Sequence, residues 1–216
     1  MLSRTPSAEA AAPYMGQTTL MATPKSKPDT PACRFTSQRS WETWLRKHHE
    51  SSDGVWLLVA KRDAERPTIS YAEAIETALC FGWIDGQKKG ADGQHWLQRF
   101  TPRRARSIWS KVNRAKALAL IEQGRMQAAG LKEVERAQAD GRWADAYDSP
   151  STAVVPPDLQ AALDLDVKAK AFFETLNGVN RYAVLWRVQT AKRAETRAKR
   201  IAQFVAMLAR HEKLHP

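Results

Sequence analysis

The sequence predicts an α+β protein: a small antiparallel sheet of about three strands packed by helices, followed by an all-helical C-terminal section. Three observations carry this. The run Val55-Trp56-Leu57-Leu58-Val59-Ala60 is short, β-branched at both ends and bounded by turn residues and charge. Ser70-x-x-Glu73 is a capping box ahead of Ala74, Ile75, Ala78 and Leu79 at helical spacing. Beyond the proline-rich stretch 150–157, apolar residues recur only with helical period.

Residues 1–36 hold five of the eleven prolines, several Ser, Thr and Ala, and no tryptophan, a composition that predicts a disordered tail. They lack the apolar core of a secretory signal, and Met15 and Met21 are alternative starts. Ser40 is the expected N-cap of a helix over 41–49, with Trp41, Trp44, Leu45 and His48 on its apolar face. Asp53-Gly54 turns the chain into the strand over 55–60. The capping-box helix follows and stops at Gly82. Trp83-Ile84-Asp85 and the segment 95–100 then read as a hairpin around the connection 86–93.

After Pro102, Ser107 is the expected cap of a helix with Ile108, Val112, Ala115, Leu118 and Ala119 inward, ending at Gly124. A further helix over 131–140 turns Leu131 and Val134 inward and stops at Gly141. The C-terminal section, 150–216, reads as helices over 158–163, over 167–176 with Phe172, Phe173 and Leu176 inward, and from Asn180 through Leu208. The organisation is a tail over 1–36, an α+β core over 37–149 and the helical section.

The 216 residues include 34 Lys and Arg against 23 Asp and Glu, a net charge of +11, and eight tryptophans. No run approaches the roughly 18 apolar residues of a membrane helix, so no membrane span is expected. Two cysteines, Cys33 and Cys80, are too few for a disulfide framework, and a reducing, cytoplasmic location is the natural expectation. The charge is concentrated. Residues 86–116 carry nine cations against Asp92 alone, a net +8, and residues 181–216 carry nine against Glu195 and Glu212, a net +7. The rest of the chain is net acidic.

The first block, interleaved with Trp96, Phe100 and Trp109, has the composition of a surface for phosphate groups or single-stranded nucleic acid; the alternative is that these charges are solvated helix faces. Asp85 is placed to meet Arg99 or Lys111 across the hairpin, either orienting a polar ligand or pinning the strands as a structural ion pair. The candidate ligand residues are Trp83, Asp85, Arg99, Thr101, Arg103, Trp109, Ser110, Lys111 and Asn113. A second candidate face comprises Lys192, Arg193, Arg197 and Arg200. His48 and His49 are adjacent and lack metal-ligand spacing, and neither a phosphate-cradling glycine loop nor a Gly-x-Ser-x-Gly elbow occurs, so no metal, cofactor or catalytic constellation is expected.

These segments resemble the YdeI/OmpD-associated family, also described as bacteriocin-protection proteins. The resemblance is carried by Trp41-x-x-Trp44-Leu45, Gly54-Val55-Trp56-Leu57, Ser70-Tyr71-x-Glu73-Ala74, the block Ala78 to Gly86, Arg99-Phe100-Thr101-Pro102-Arg103, Ser107-x-Trp109-Ser110-Lys111-x-Asn113, Gly124-x-Met126, Ala139 to Trp143, and Ala191 to Ile201. It spans roughly residues 40–208. Ala194 stands where family members often carry proline, which weakens the expected helix break there. The resemblance implies associations with bacteriocin protection and an outer-membrane porin, and no reaction. The leading expectation is a non-catalytic cytoplasmic binding or stress-protection protein that contacts an anionic partner through its basic, Trp-rich surface. Its rivals are an enzyme or small-ligand protein with a pocket at Asp85, Arg99, Arg103, Ser110 and Asn113, a nucleic-acid-binding module, and a scaffold docking a protein partner through the C-terminal basic helix.

Overall fold

The computed structural model describes residues 32–216. The expected disordered tail lies outside the described residues over 1–31, whereas residues 32–36 belong to the fold. Ala32–Cys33 (β1) pairs in parallel with Val55–Ala60 (β2), setting Ala32 beside Trp56 and Cys33 beside Leu57. The antiparallel part contains β2, Trp83–Gly90 (β3) and His95–Pro102 (β4). The sheet order is β1-β2-β4-β3, so the expected three antiparallel strands gain a short parallel edge strand and the sheet is mixed.

The first helix, Gln38–His48 (α1), starts three residues earlier than the sequence suggests. Ser37, rather than Ser40, is its cap: Ser37 Oγ accepts from Ser40 N at 3.2 Å, and Ser40 supplies the reciprocal contact. The second, Tyr71–Cys80 (α2), forms as expected, with Ser70 Oγ accepting from Glu73 N and Glu73 Oε2 accepting from Ser70 N at 3.0 Å. Gly82 ends it at φ +71°, a conformation that disfavours any residue with a Cβ.

Strand β2 alternates between buried Val55, Leu57 and Val59 and half-buried Trp56, Leu58 and Ala60. The first set faces α1 and α2. There Trp41, Leu45, Ile75, Leu79, Trp83 and Phe100 build the core, with Trp41 5.8 Å from Phe100 and 6.3 Å from Trp83 between ring centroids. Both core indoles satisfy their N–H groups, Trp41 on Ala74 O and Trp83 on His49 O, each at 3.1 Å. Each buried indole removes about 200 Å² from water, worth about 5 kcal/mol. The tryptophan excess is therefore largely core.

Lys111–Glu122 (α3) begins after its Ser110 cap, three residues later than the sequence suggests, and its expected inward stripe faces outward. Ile108, Val112 and Leu118 are exposed, while Ala117 and Leu120 are buried. Ala128–Ala139 (α4) follows, with Val134 inside and Leu131, expected inside, exposed. The segment after α4 returns to Trp109: Tyr147 N donates to Trp109 O at 2.9 Å, and Lys111 N donates to Tyr147 O at 2.8 Å.

A second hydrophobic core holds Pro157–Asp164 (α5), Val167–Thr175 (α6), Gly178–Gln189 (α7) and Ala194–Ala209 (α8) around Leu159, Leu163, Phe173, Leu185, Phe204 and Leu208. Helix α7 starts two residues before the expected Asn180, capped by Asn177. The break before α8 occurs with Ala194 in its first turn, so proline is not needed there. Among the described residues, no helix is long and apolar enough to cross a membrane.

Candidate functional site

The sheet alternation divides the expected site residues between two faces. Directly opposed residues share a face. Arg99 is opposed to Trp56, and Leu97 to both Leu58 and Lys89, so these five side chains share the sheet face turned away from α1 and α2. Trp56, Leu58 and Leu97 belong neither to the hydrophobic core nor to the partly buried residues packed on it, among the described residues. Lys89 Nζ lies 4.4 Å from the centroid of the Trp56 ring and the Arg99 guanidinium 5.7 Å from it, a cation–π arrangement built across three strands. On the opposite, core-facing side, where Lys88 is opposed to Gln98 and Trp96 to Val59, Lys88 Nζ lies 4.6 Å from the Trp96 ring centroid. Thr101 lies two residues along β4 from Arg99 on the same side.

Asp85, opposed to Phe100, lies on the helix-covered side and meets neither Arg99 nor Lys111. Its Oδ2 accepts the Tyr71 hydroxyl at 2.6 Å, and Lys111 instead pairs with Asp148 at 2.6 Å. Burial and the bonded Asp85 carboxylate push the Tyr71 phenol well above its ordinary value of 10.0. Trp83 and Trp109 are core residues, 1% and 2% exposed, so neither is available as a stacking surface. Ser110 Oγ accepts from the backbone N–H of Asn113 at 3.1 Å as a helix cap, which explains Ser110 without a ligand.

Arg103, which the sequence suggests as a surface cation, is only 6% exposed. Its guanidinium carbon sits 3.4 Å from the Trp109 ring centroid, and Nη1 donates to Ile108 O at 3.3 Å. Nε and Nη2 have no protein partner, and neither does the buried Nε1 of Trp109. Desolvation is the main reason its pKa falls from the ordinary 12.5 to about 10. Of the expected set, Asp85, Arg103 and Ser110 come together around Tyr147, which hydrogen-bonds Ser110 and feels the charges of the other two, whereas Arg99 lies on the opposite face of the sheet.

The two basic blocks differ in how their charge is used. On the C-terminal face, Lys192 pairs with Asp145 at 3.1 Å, and Arg197 grips Asp158 through Nε and Nη2 at 2.5 and 2.9 Å. Arg200 donates to Arg187 O at 2.5 Å, and Arg193 precedes α8 as its exposed N-cap residue. Three of these four candidates thus hold the structure together. In the first block Lys111 and Lys116 pair with Asp148 and Glu76, but among the described residues Lys88, Lys89, Arg99, Arg104 and Arg106 form no ion pair. Trp56, Lys89 and Tyr71 were missing from the sequence-based candidates. Period-two alternation in β2 is the signal that separates Trp56 from its buried neighbours.

Among the described residues, no group of three or more His, Cys, Asp and Glu is arranged to hold a metal ion. The fold and site define a two-core α+β protein with an uncompensated cationic sheet face. Comparison with known families divides the chain at a similar place. Residues 152–211 match the family described as Bacteriocin-protection, YdeI or OmpD-Associated, and residues 33–133 match a domain of unknown function (DUF8412). Over its C-terminal helices the chain is thus similar to the YdeI/OmpD-associated family. The motif at 191–201 falls within that match, whereas those at 78–86 and 99–103 fall in the region matched by the domain of unknown function. Neither a curated relative nor a solved structure matches the chain.

Proposed function

We propose that this protein is a non-catalytic, cytoplasmic binding protein that holds an anionic partner, single-stranded nucleic acid, on the outer face of its sheet. The observation that carries the reading is Trp56 flanked by Lys89 and Arg99, two cations that face an indole instead of a carboxylate. A backbone phosphate would draw either cation from the ring without breaking an ion pair, and the uncovered indole offers a base a stacking surface. The non-catalytic reading is supported by the fate of the polar candidates: Asp85 is engaged by Tyr71, Lys111 by Asp148, and Ser110 caps α3. Free thiols at Cys33 and Cys80 are compatible with a reducing compartment. The family description of bacteriocin protection fits a protein that acts by association.

Fluorescence anisotropy of a labelled single-stranded oligonucleotide across a salt series tests the proposal. Binding that weakens steeply with salt is expected, the slope approaching about −0.7 per phosphate contacted. Absent binding at low salt, or affinity indifferent to salt, would overturn it.

A further inference from the structure

A cavity of about 650 Å³ lies on a different part of the molecule, between the end of α1, the turn from α2 into β3, the end of β4 and the first turns of α4. Its charged lining is Arg46, Arg103, Lys132 and Arg136 against Glu50 and Glu133. The balance is cationic by two. Glu133 is engaged by Arg136 and Arg46 by Glu42, but Lys132 is exposed and in no ion pair among the described residues.

Two features aim hydrogen-bond donors at this space. The start of α4 lies in the cavity wall, at Ala128 and Ala129; its N-cap residue Gln127 makes no side-chain capping bond, and no acidic residue occupies its first turn. The N-terminal amides of a helix favour an anion through their unpaired N–H groups and the helix dipole. Independently, Arg103 lines the same cavity while 94% buried, and its Nε and Nη2 are unpartnered. Glu133 and Asp85 lie close enough to favour the charged guanidinium but neither hydrogen-bonds it, so its two unpartnered donors remain costly and an anion bound beside them offsets that cost. The Trp109 ring holds the guanidinium plane from one side, leaving its edge donors to be satisfied by another group.

We propose that this cavity binds a phosphate monoester, its phosphate between the α4 N-terminus, Lys132 and Arg103 and its organic part beside the partly exposed His49 and Pro102. The volume is within the range of small-molecule sites and larger than a bare phosphate requires. The convergence of a planar arginine with backbone amides suits a tetrahedral oxyanion. The site does not depend on the outer sheet face, from which it shares no residue.

Isothermal titration calorimetry of the full chain with adenosine monophosphate, inorganic phosphate and adenosine tests the assignment. Saturable binding of the monophosphate is expected, with none of adenosine. A monophosphate affinity about tenfold above that of phosphate shows that the organic part contributes, and equal affinities assign the site to phosphate alone. Lys132→Glu should weaken either anion by at least about tenfold while leaving oligonucleotide binding through Lys89 and Arg99 unchanged. Arg103→Met should abolish anion binding, and Lys132→Glu carries the test should that core variant fail to fold. Failure of the wild-type chain to bind either anion, or anion binding indifferent to Lys132→Glu, would overturn the proposal.

Discussion

The Tyr71 hydroxyl donates to the Asp85 carboxylate at 2.6 Å, fastening the first turn of α2 to the start of β3. Because burial and this bond raise the Tyr71 pKa, the neutral phenol is favoured by folding. That contribution is complete below the unfolded value near 10.0 and is lost as pH rises beyond it. Tyr71→Phe should lower stability by about 1 kcal/mol at neutral pH, a modest figure because the site is partly exposed. It should also flatten the alkaline limb. Urea melts at pH 7 and pH 10.5 check both, and an unchanged alkaline slope in the variant would contradict the linkage.

Gly130 tests the close approach of α4 to α2. A Cβ at this position would lie 2.7 Å from Leu79 O and nearer still to Cys80 O. Helix propensity alone favours alanine over glycine by about 1 kcal/mol, but two backbone carbonyls cannot easily move aside. Gly130→Ala should therefore destabilise by about 2 kcal/mol or more, read as a lowered Tm.

Asp148 joins the two cores. Its carboxylate accepts from Lys111 at 2.6 Å and from Gln189 Nε2 at 2.6 Å, while its backbone oxygen accepts the Tyr182 hydroxyl at 2.9 Å. The Lys111 bond, with the Gln189 bond, holds the carboxyl below its ordinary 3.8. This contribution is present above pH 3.8 and disappears as pH falls through the lowered native value. Asp148→Ala should cost about 2 kcal/mol at pH 7 and progressively less under acid, measured by denaturant melts.

Cys80 is buried, and that burial pushes its thiol up to about 11. A thiol reagent at pH 8 should leave it unmodified in the native chain and label it in denaturant, with mass spectrometry assigning the position. Rapid native labelling of Cys80 would contradict the packing.

On the sheet face, Lys89→Ala and Arg99→Ala should each weaken oligonucleotide binding and reduce the magnitude of the salt slope by about 0.7. Trp56→Leu should weaken binding with the slope nearly intact, because it removes stacking and leaves the phosphate contacts. The split between slope and intercept separates the two roles.

Much of this architecture was legible where local chemistry sufficed. Ser70 and Glu73 announced α2, Gly82 its end, and the β-branched run its strand, because each signal is satisfied within a few residues. Helix α3 was misread because Ala, Leu, Val and Ile occur on more than one of its faces, and only contact with the rest of the fold selects Ala117 and Leu120. The site was less legible for the same reason. Arg103 lies among exposed arginines in the sequence, and its burial depends on Trp109 and α4 arriving from elsewhere. Tyr71 and Asp85 are separated by fourteen positions, with nothing local to mark their pairing.

The short rung from Tyr147 to Trp109 and Lys111 bonds the end of the first core to the approach to the second. From α7, Gln189 and Tyr182 hold Asp148; its preceding neighbour Tyr147 bonds Trp109, whose indole supports Arg103. The C-terminal helices are thus tied by an unbroken run of contacts to the buried guanidinium.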